Sequence, residues 1–149
     1  MSGLATLTKL TERRAAGALA SWQHLRTQCD DAKEKLSLLK KHAEGYRDVM
    51  RTSVEQGMPA ASMMAHLAFI GQIETVVVRQ EAELGSLEEA CGRQWQELLE
   101  ARREQRMCEI LSERAAARDA EAASRREQAE VDELLQRAAM PQSMTSNAL

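Results

Sequence analysis

Only two prolines, Pro59 and Pro141, punctuate a chain of 149 residues. Proline removes a backbone donor and clashes with the preceding turn, so it is the strongest local stop for a helix. Gly57-Met58-Pro59 reads as such a stop: Gly57 can take the left-handed conformation past a helix end, and Ser62 is the expected N-cap of a restart. Elsewhere Ala, Glu, Arg, Leu and Gln dominate, residues that lose little side-chain freedom in a helix. The expected elements are two helices, over about 4–56 and 62–140, joined by a turn at 57–61. At ~1.5 Å per residue they would be roughly 80 and 120 Å long. The tail at 141–149 has no periodicity and is expected to be disordered.

Helices of that length are coiled coils far more often than parts of a globule, and aromatics at 3% of the chain leave little for a thick core. The first segment keeps a 3,4 spacing through Ala15, Ala18, Trp22, Leu25, Cys29, Ala32, Leu36, Leu39, Ala43, Tyr46 and Met50. The second repeats every seven residues through Met63, Ile70, Val77, Leu84, Cys91 and Leu98, with Ile73, Leu87, Ala101 and Cys108 on a companion row. Two such stripes joined by a tight turn should close as an antiparallel hairpin. A turn centred near residue 60 makes partner numbers sum to about 120. That register pairs Met50 with Ile70, Ala43 with Val77, Leu36 with Leu84, Cys29 with Cys91, Trp22 with Leu98, Tyr46 with Ile73 and Ala32 with Leu87. Every pair is apolar. The fold class expected is all-α, an antiparallel two-helix coiled-coil hairpin with a longer second helix.

The same register runs out of partner where Leu4 meets the neighbourhood of residue 116, leaving 117–140 as an overhang. The stripe fails there too: Ala is the only apolar residue type over 113–130, before Val131, Leu134, Leu135 and Ala138 form a short amphipathic end. A free helix of this kind frays or waits for a partner.

Several function classes drop out. Residues 1–50 carry nine Lys/Arg against six Asp/Glu, residues 51–99 three against seven, and residues 100–149 eight against ten, so no segment is a basic arm for nucleic acid. The start has no charged segment followed by an apolar run, so no secretion signal is expected. The uncharged stretch between Glu55 and Glu74 holds Gly57, Pro59, Ser62, His66 and Gln72, and reads as short of the ~20 mostly apolar residues of a membrane span. Three cysteines without CxxC spacing fit reduced thiols. No phosphate loop, nucleophile elbow or HExxH motif occurs, and His24, His42 and His66 are dispersed. The expectation is a non-enzyme with no catalytic residue, no metal and no cofactor.

Two surfaces remain. Phe69 and Val76 lie seven apart beside the seam row and are expected to be exposed, and an exposed apolar patch on a charged coiled coil marks a contact surface. The other is the overhang end at 131–140 together with Leu4, Leu7 and Leu10.

Arg125-Arg126-Glu127-Gln128 leading to Val131-Asp132-Glu133-Leu134-Leu135-Gln136-Arg137-Ala138-Ala139-Met140 resembles the C-terminal end of the FliJ family of flagellar export proteins. Tyr46-Arg47 ahead of a Gly57-marked turn and Phe69-Ile70 just after it agree in spacing, so the resemblance runs without gaps from Tyr46 to Met140. It implies a cytoplasmic stalk protein at the inner-membrane base of the flagellum, a monomeric hairpin peripheral to the membrane. Its implied role is to promote assembly and activity of the hexameric export ATPase (FliI-like) and to couple it to the export gate protein (FlhA-like), with export chaperones as further partners. Carried over by position, the gate contact falls on Phe69, Ile73, Val76 and Gln80, the last where the family has His. The ATPase-ring contact falls near Asp132, Glu133, Gln136 and Arg137. An export chaperone-escort, or the equivalent stalk of a virulence type III secretion system, is the alternative.

Overall fold

The computed structural model describes residues 2–140, and the tail expected to be disordered lies outside them. Helix α1 spans Ser2–Glu55 and helix α2 spans Ala60–Ala139. The two pack against each other as an all-α hairpin with the longer helix second. Gly57 ends α1 with φ at 90°, a conformation that costs an L side chain but not glycine, and its N–H donates to the Val54 carbonyl at 3.1 Å.

The restart differs from expectation. Helix α2 begins at Ala60, two residues ahead of Ser62, and the Pro59 carbonyl accepts the Met63 N–H at 3.1 Å. Proline is well placed at a helix entrance, where the N–H it lacks would have no intrahelical partner. Ser62 sits inside the first turn and is not the N-cap.

The seam follows the heptads. In α1 every residue on the 4,3-spaced row from Leu4 through Thr8, Thr11 and Ala15 to Met50 and Ser53 is buried or half-buried. In α2 the row through Met63, Ile70, Val77, Leu84, Cys91 and Leu98 does the same, as does the row through Ile73, Leu87, Ala101 and Cys108. Gln80 and Gln94 occupy the same second row, so polar residues share the seam with Ile, Leu and Ala.

Two compact units divide these contacts: one is Glu12–Arg103, and the other joins the start of α1 up to Thr11 to α2 from Glu104 onward. In the first unit, one flank of the seam is a ladder of ion pairs. Lys33 meets Glu88 at 3.7 Å, Lys40 meets Glu81 at 2.9 Å, and Arg47 meets Glu74. All six side chains are about half exposed, so each pair contributes at most ~1 kcal/mol. They repeat every seven residues on both helices, so a one-heptad slip would re-form two of the three, and the register is held by the turn and the apolar layers. One heptad further along the same rows, where Arg26 and Trp95 stand, Trp22 packs on Trp95 with ring centroids 4.9 Å apart, and the Arg26 guanidinium lies over the Trp22 ring. Leu98, the expected layer partner of Trp22, is the one large side chain with no exposure among the described residues.

In the second unit, the Thr8 and Ser112 hydroxyls meet across the seam at 3.1 Å, and Cys108 is buried. Beyond Ala115 every described residue of α2 is exposed.

Candidate functional site

Two surfaces stand out, one in each unit. In the first unit, the start of α2 is apolar on more faces than the seam can use. Phe69 is 46% exposed and Val76 39%, and both flank the row that carries Ile73 and Gln80, which are half-buried. The four residues recur at i, i+4, i+7 and i+11, one stripe along the helix. It presents Phe69 and Val76 outward while Ile73 and Gln80 serve the seam.

Phe69 is not a loose side chain. Its ring meets Tyr46 edge-on at 4.9 Å between centroids, and the Tyr46 hydroxyl bonds to His66 Nδ1. The cluster holds the aromatic edge in place on a helix, a rigid setting that lowers the entropy cost of docking. Val49 of α1 is exposed as well, as are Met64, Leu67 and Val78 of α2. A separate groove of about 510 Å³ opens over Met50, Val54, Leu67 and Ile70, with Arg47 and Glu74 on its rim.

This apolar excess corrects the reading of the stretch before Glu74. The start of α2 is long and apolar enough, by length and composition, to cross a membrane, and none of that window is buried. Gly57 and Pro59, counted against it in the sequence, precede the helix. Its Glu74 pairs with Arg47, while Ile70, Ile73 and Val77 are half-buried on the seam, so part of its apolarity serves the hairpin.

In the second unit, the surface is the end of α2. Val131, Leu134 and Leu135 are each more than half exposed, and Met140 is more exposed still. At 3.6 residues per turn, the stripe of Val131, Leu134, Leu135 and Ala138 is rotated roughly 120° about the helix from the seam side of Ser112 and Ala115. It is not a continuation of the seam, so lengthening α1 would not cover it. Asp132, Glu133, Gln136 and Arg137 lie roughly 180° from that stripe, on the other side of the helix. Arg137 bonds Glu133 at 2.8 Å, an exposed i,i+4 pair satisfied within the helix, as is Arg125 with Glu121. The end thus carries an apolar face and a polar face back to back.

Among the described residues there is no group of three His, Cys, Asp or Glu placed to hold a metal ion. What the two surfaces can do chemically is bind.

A family model described as Flagellar FliJ protein matches residues 1–143. The chain belongs to the FliJ family. It is also 25% identical over 137 residues to the Flagellar FliJ protein of Escherichia coli (strain K12), covering 92% of this chain and 93% of that protein. No solved structure matches. Membership in the FliJ family makes the chain a bacterial component of the flagellar export apparatus, a protein-transport machine, located in the cytoplasm near the flagellar base.

Sequence reasoning anticipated the exposure of Phe69 and Val76 and the uncovered overhang. It missed the Tyr46–Phe69–His66 cluster, although Tyr46 lay on the seam row within a turn of the expected partner Ile73. It also missed that Gln80 is a seam residue, although the spacing of seven from Ile73 to Gln80 to Leu87 was there to be read.

Proposed function

We propose that this FliJ-family chain is the non-catalytic central stalk of the flagellar export apparatus. It promotes assembly and hydrolysis of the hexameric export ATPase through the end of α2 and couples that ring to the export gate through the Phe69 face. The observation that carries the reading is the overhang: a helix continuous to Ala139, exposed throughout from residue 116, ending in large apolar side chains with no cover. An isolated helix spends backbone entropy that only packing recovers, so a partner is the economical explanation. A ring pore suits it, because a ring encloses a helix from all sides and the end offers opposite apolar and polar faces. Contacts that differ from one ring subunit to the next would favour the assembled hexamer and bias its hydrolysis. Acting from the cytoplasm as a monomeric hairpin, the stalk would sit at the membrane only through the apparatus, with export chaperones as transient partners.

The test is to titrate the chain into the export ATPase of the same organism while following hydrolysis and hexamer formation together. Both should rise to saturation, and a chain truncated after Ala116 should lose both while its hairpin keeps its circular dichroism per residue. No change in turnover, with capture of export chaperones instead, would replace the stalk by an escort.

The gate contact is separable. Replacing Phe69 and Val76 together by Ala should weaken gate binding by about tenfold or more, the scale expected for truncating a central aromatic anchor and its neighbour. Helix content should not change, since both side chains are exposed at the flank of the seam. An unaltered affinity would move the gate contact elsewhere, with the groove over Val54 and Leu67 next in line.

A further inference from the structure

The stalk reading makes no use of the cysteines. Cys29 and Cys91 occupy one layer of the seam within the first unit, one on each helix, and line the same cavity. Cys29 is 5% exposed. Cys91 is half-buried, and both line an open cavity of about 450 Å³ bounded by Trp22, Trp95, Arg26 and Glu88. Cys108 lies seventeen residues further along α2, in the other unit, so it does not compete for this pairing. Facing positions in one layer of a two-helix seam set two thiols, one on each helix, where a disulfide can join them.

We propose that Cys29 and Cys91 are a reversible dithiol–disulfide couple that staples α1 to α2 when a peroxide reaches the Trp22–Trp95 cavity. The reactions balance with the peroxide as the oxidant. Cys91, the sulfur nearer solvent, gives up its proton, attacks one oxygen of hydrogen peroxide, breaks the O–O bond and becomes a sulfenic acid, and the hydroxide released takes up that proton as water. The Cys29 sulfur then attacks the Cys91 sulfur, the S–O bond breaks, and the Cys29 proton leaves with the hydroxyl as water. Two thiols and one peroxide thus give one disulfide and two waters. A dithiol reductant reverses the step by exchange through a mixed disulfide.

The order of attack follows from the surroundings. Burial raises the Cys29 thiol above its ordinary value, helped by the neighbouring Cys91 and Glu88 and opposed by Lys33. Cys29 therefore stays protonated and resolves, while Cys91 meets the oxidant. The closed staple joins the helices through the loop that contains the turn and the Phe69 face, so that part of the hairpin stays paired even when the layers beyond are pulled open.

The experiment uses the full chain with Cys108→Ser, treated with hydrogen peroxide or left reduced. The expected product is a monomer lighter by two hydrogen atoms, whose non-reducing peptide map links Cys29 to Cys91. Its thermal midpoint should rise by roughly 10 °C, from closure of a long loop, and fall back on adding dithiothreitol. With Cys91→Ser added, peroxide should give neither the link nor the rise. Cys29 and Cys91 both recovered as alkylated thiols after peroxide, or linked only between chains, would overturn the proposal. So would a Cys29–Cys91 link that leaves the midpoint unmoved or lower, since the sulfurs would then have been joined by distortion.

Discussion

Leu98→Ala should be the most damaging truncation in the hairpin, lowering stability by about 3 kcal/mol. Among the described residues Leu98 is the one large side chain with no exposure, and the rest of the buried core consists largely of small residues such as Ala15, Ala43 and Ala101. Truncation at so closed a site loses the transfer term and leaves a cavity term as well. A two-helix seam has no second layer behind it, and a loss of that size is a large part of the few kcal/mol that hold a small domain folded. Thermal unfolding followed by helix circular dichroism should show the midpoint falling by roughly 10 °C. Leu111→Ala, at a site 43% exposed, is the control and should shift it by a small fraction of that. Equal shifts for the two would mean that the seam near Leu98 opens in solution and that its burial does not decide stability.

The seam was largely legible because a heptad repeat is a geometric statement. Apolar residues at 3,4 spacing must share one side of a helix, and two such sides joined by a proline-marked turn have few ways to meet. The ion pairs of Lys33, Lys40 and Arg47 fall on the register read from the turn, and Cys29 and Cys91, paired in that register, line one cavity. What stayed hidden has physical reasons. Gln80 and Gln94 sit on the seam row because a two-helix interface leaves its edges wet, so the row tolerates amides that a search for apolar residues passes over. Trp22 reaches Trp95 because a large ring extends past its own layer, and a register counted in Cα positions does not carry side-chain length. The start of α2 moved to Ala60 because Pro59 initiates as readily as it terminates.

The candidate surfaces were legible only in part, for a related reason. Heptad arithmetic says which side of a helix is used, and by subtraction which apolar residues are left over. Phe69, Val76, Leu134 and Leu135 emerged that way. The partner that covers them leaves no trace in the periodicity, since its shape is written in another chain. Family membership supplies the apparatus, and the geometry supplies the opposed faces at the end of α2.

Those opposed faces give the other large effect. Replacing Leu134 and Leu135 together by Glu should abolish stimulation of the export ATPase at protein concentrations where the parent chain saturates it. Both side chains are more than 60% exposed, so the change removes nothing from the hairpin, and Glu is a good helix former. In a contact, each carboxylate would have to be stripped of water against an apolar surface, a cost of several kcal/mol that converts to a thousandfold or so in affinity. Arg137→Ala removes only a satisfied, exposed pair with Glu133 and should change stimulation little. The polar side decides between two geometries. If a pore encloses the helix, Asp132→Arg with Gln136→Arg, on the side away from Leu134 and Leu135, should also depress stimulation. If a groove takes one side only, that double substitution should be silent. Full stimulation from the Leu134→Glu, Leu135→Glu chain would remove the apolar face from the ATPase contact and rule out an enclosing pore, leaving only the opposite face of Asp132, Glu133, Gln136 and Arg137 to make it.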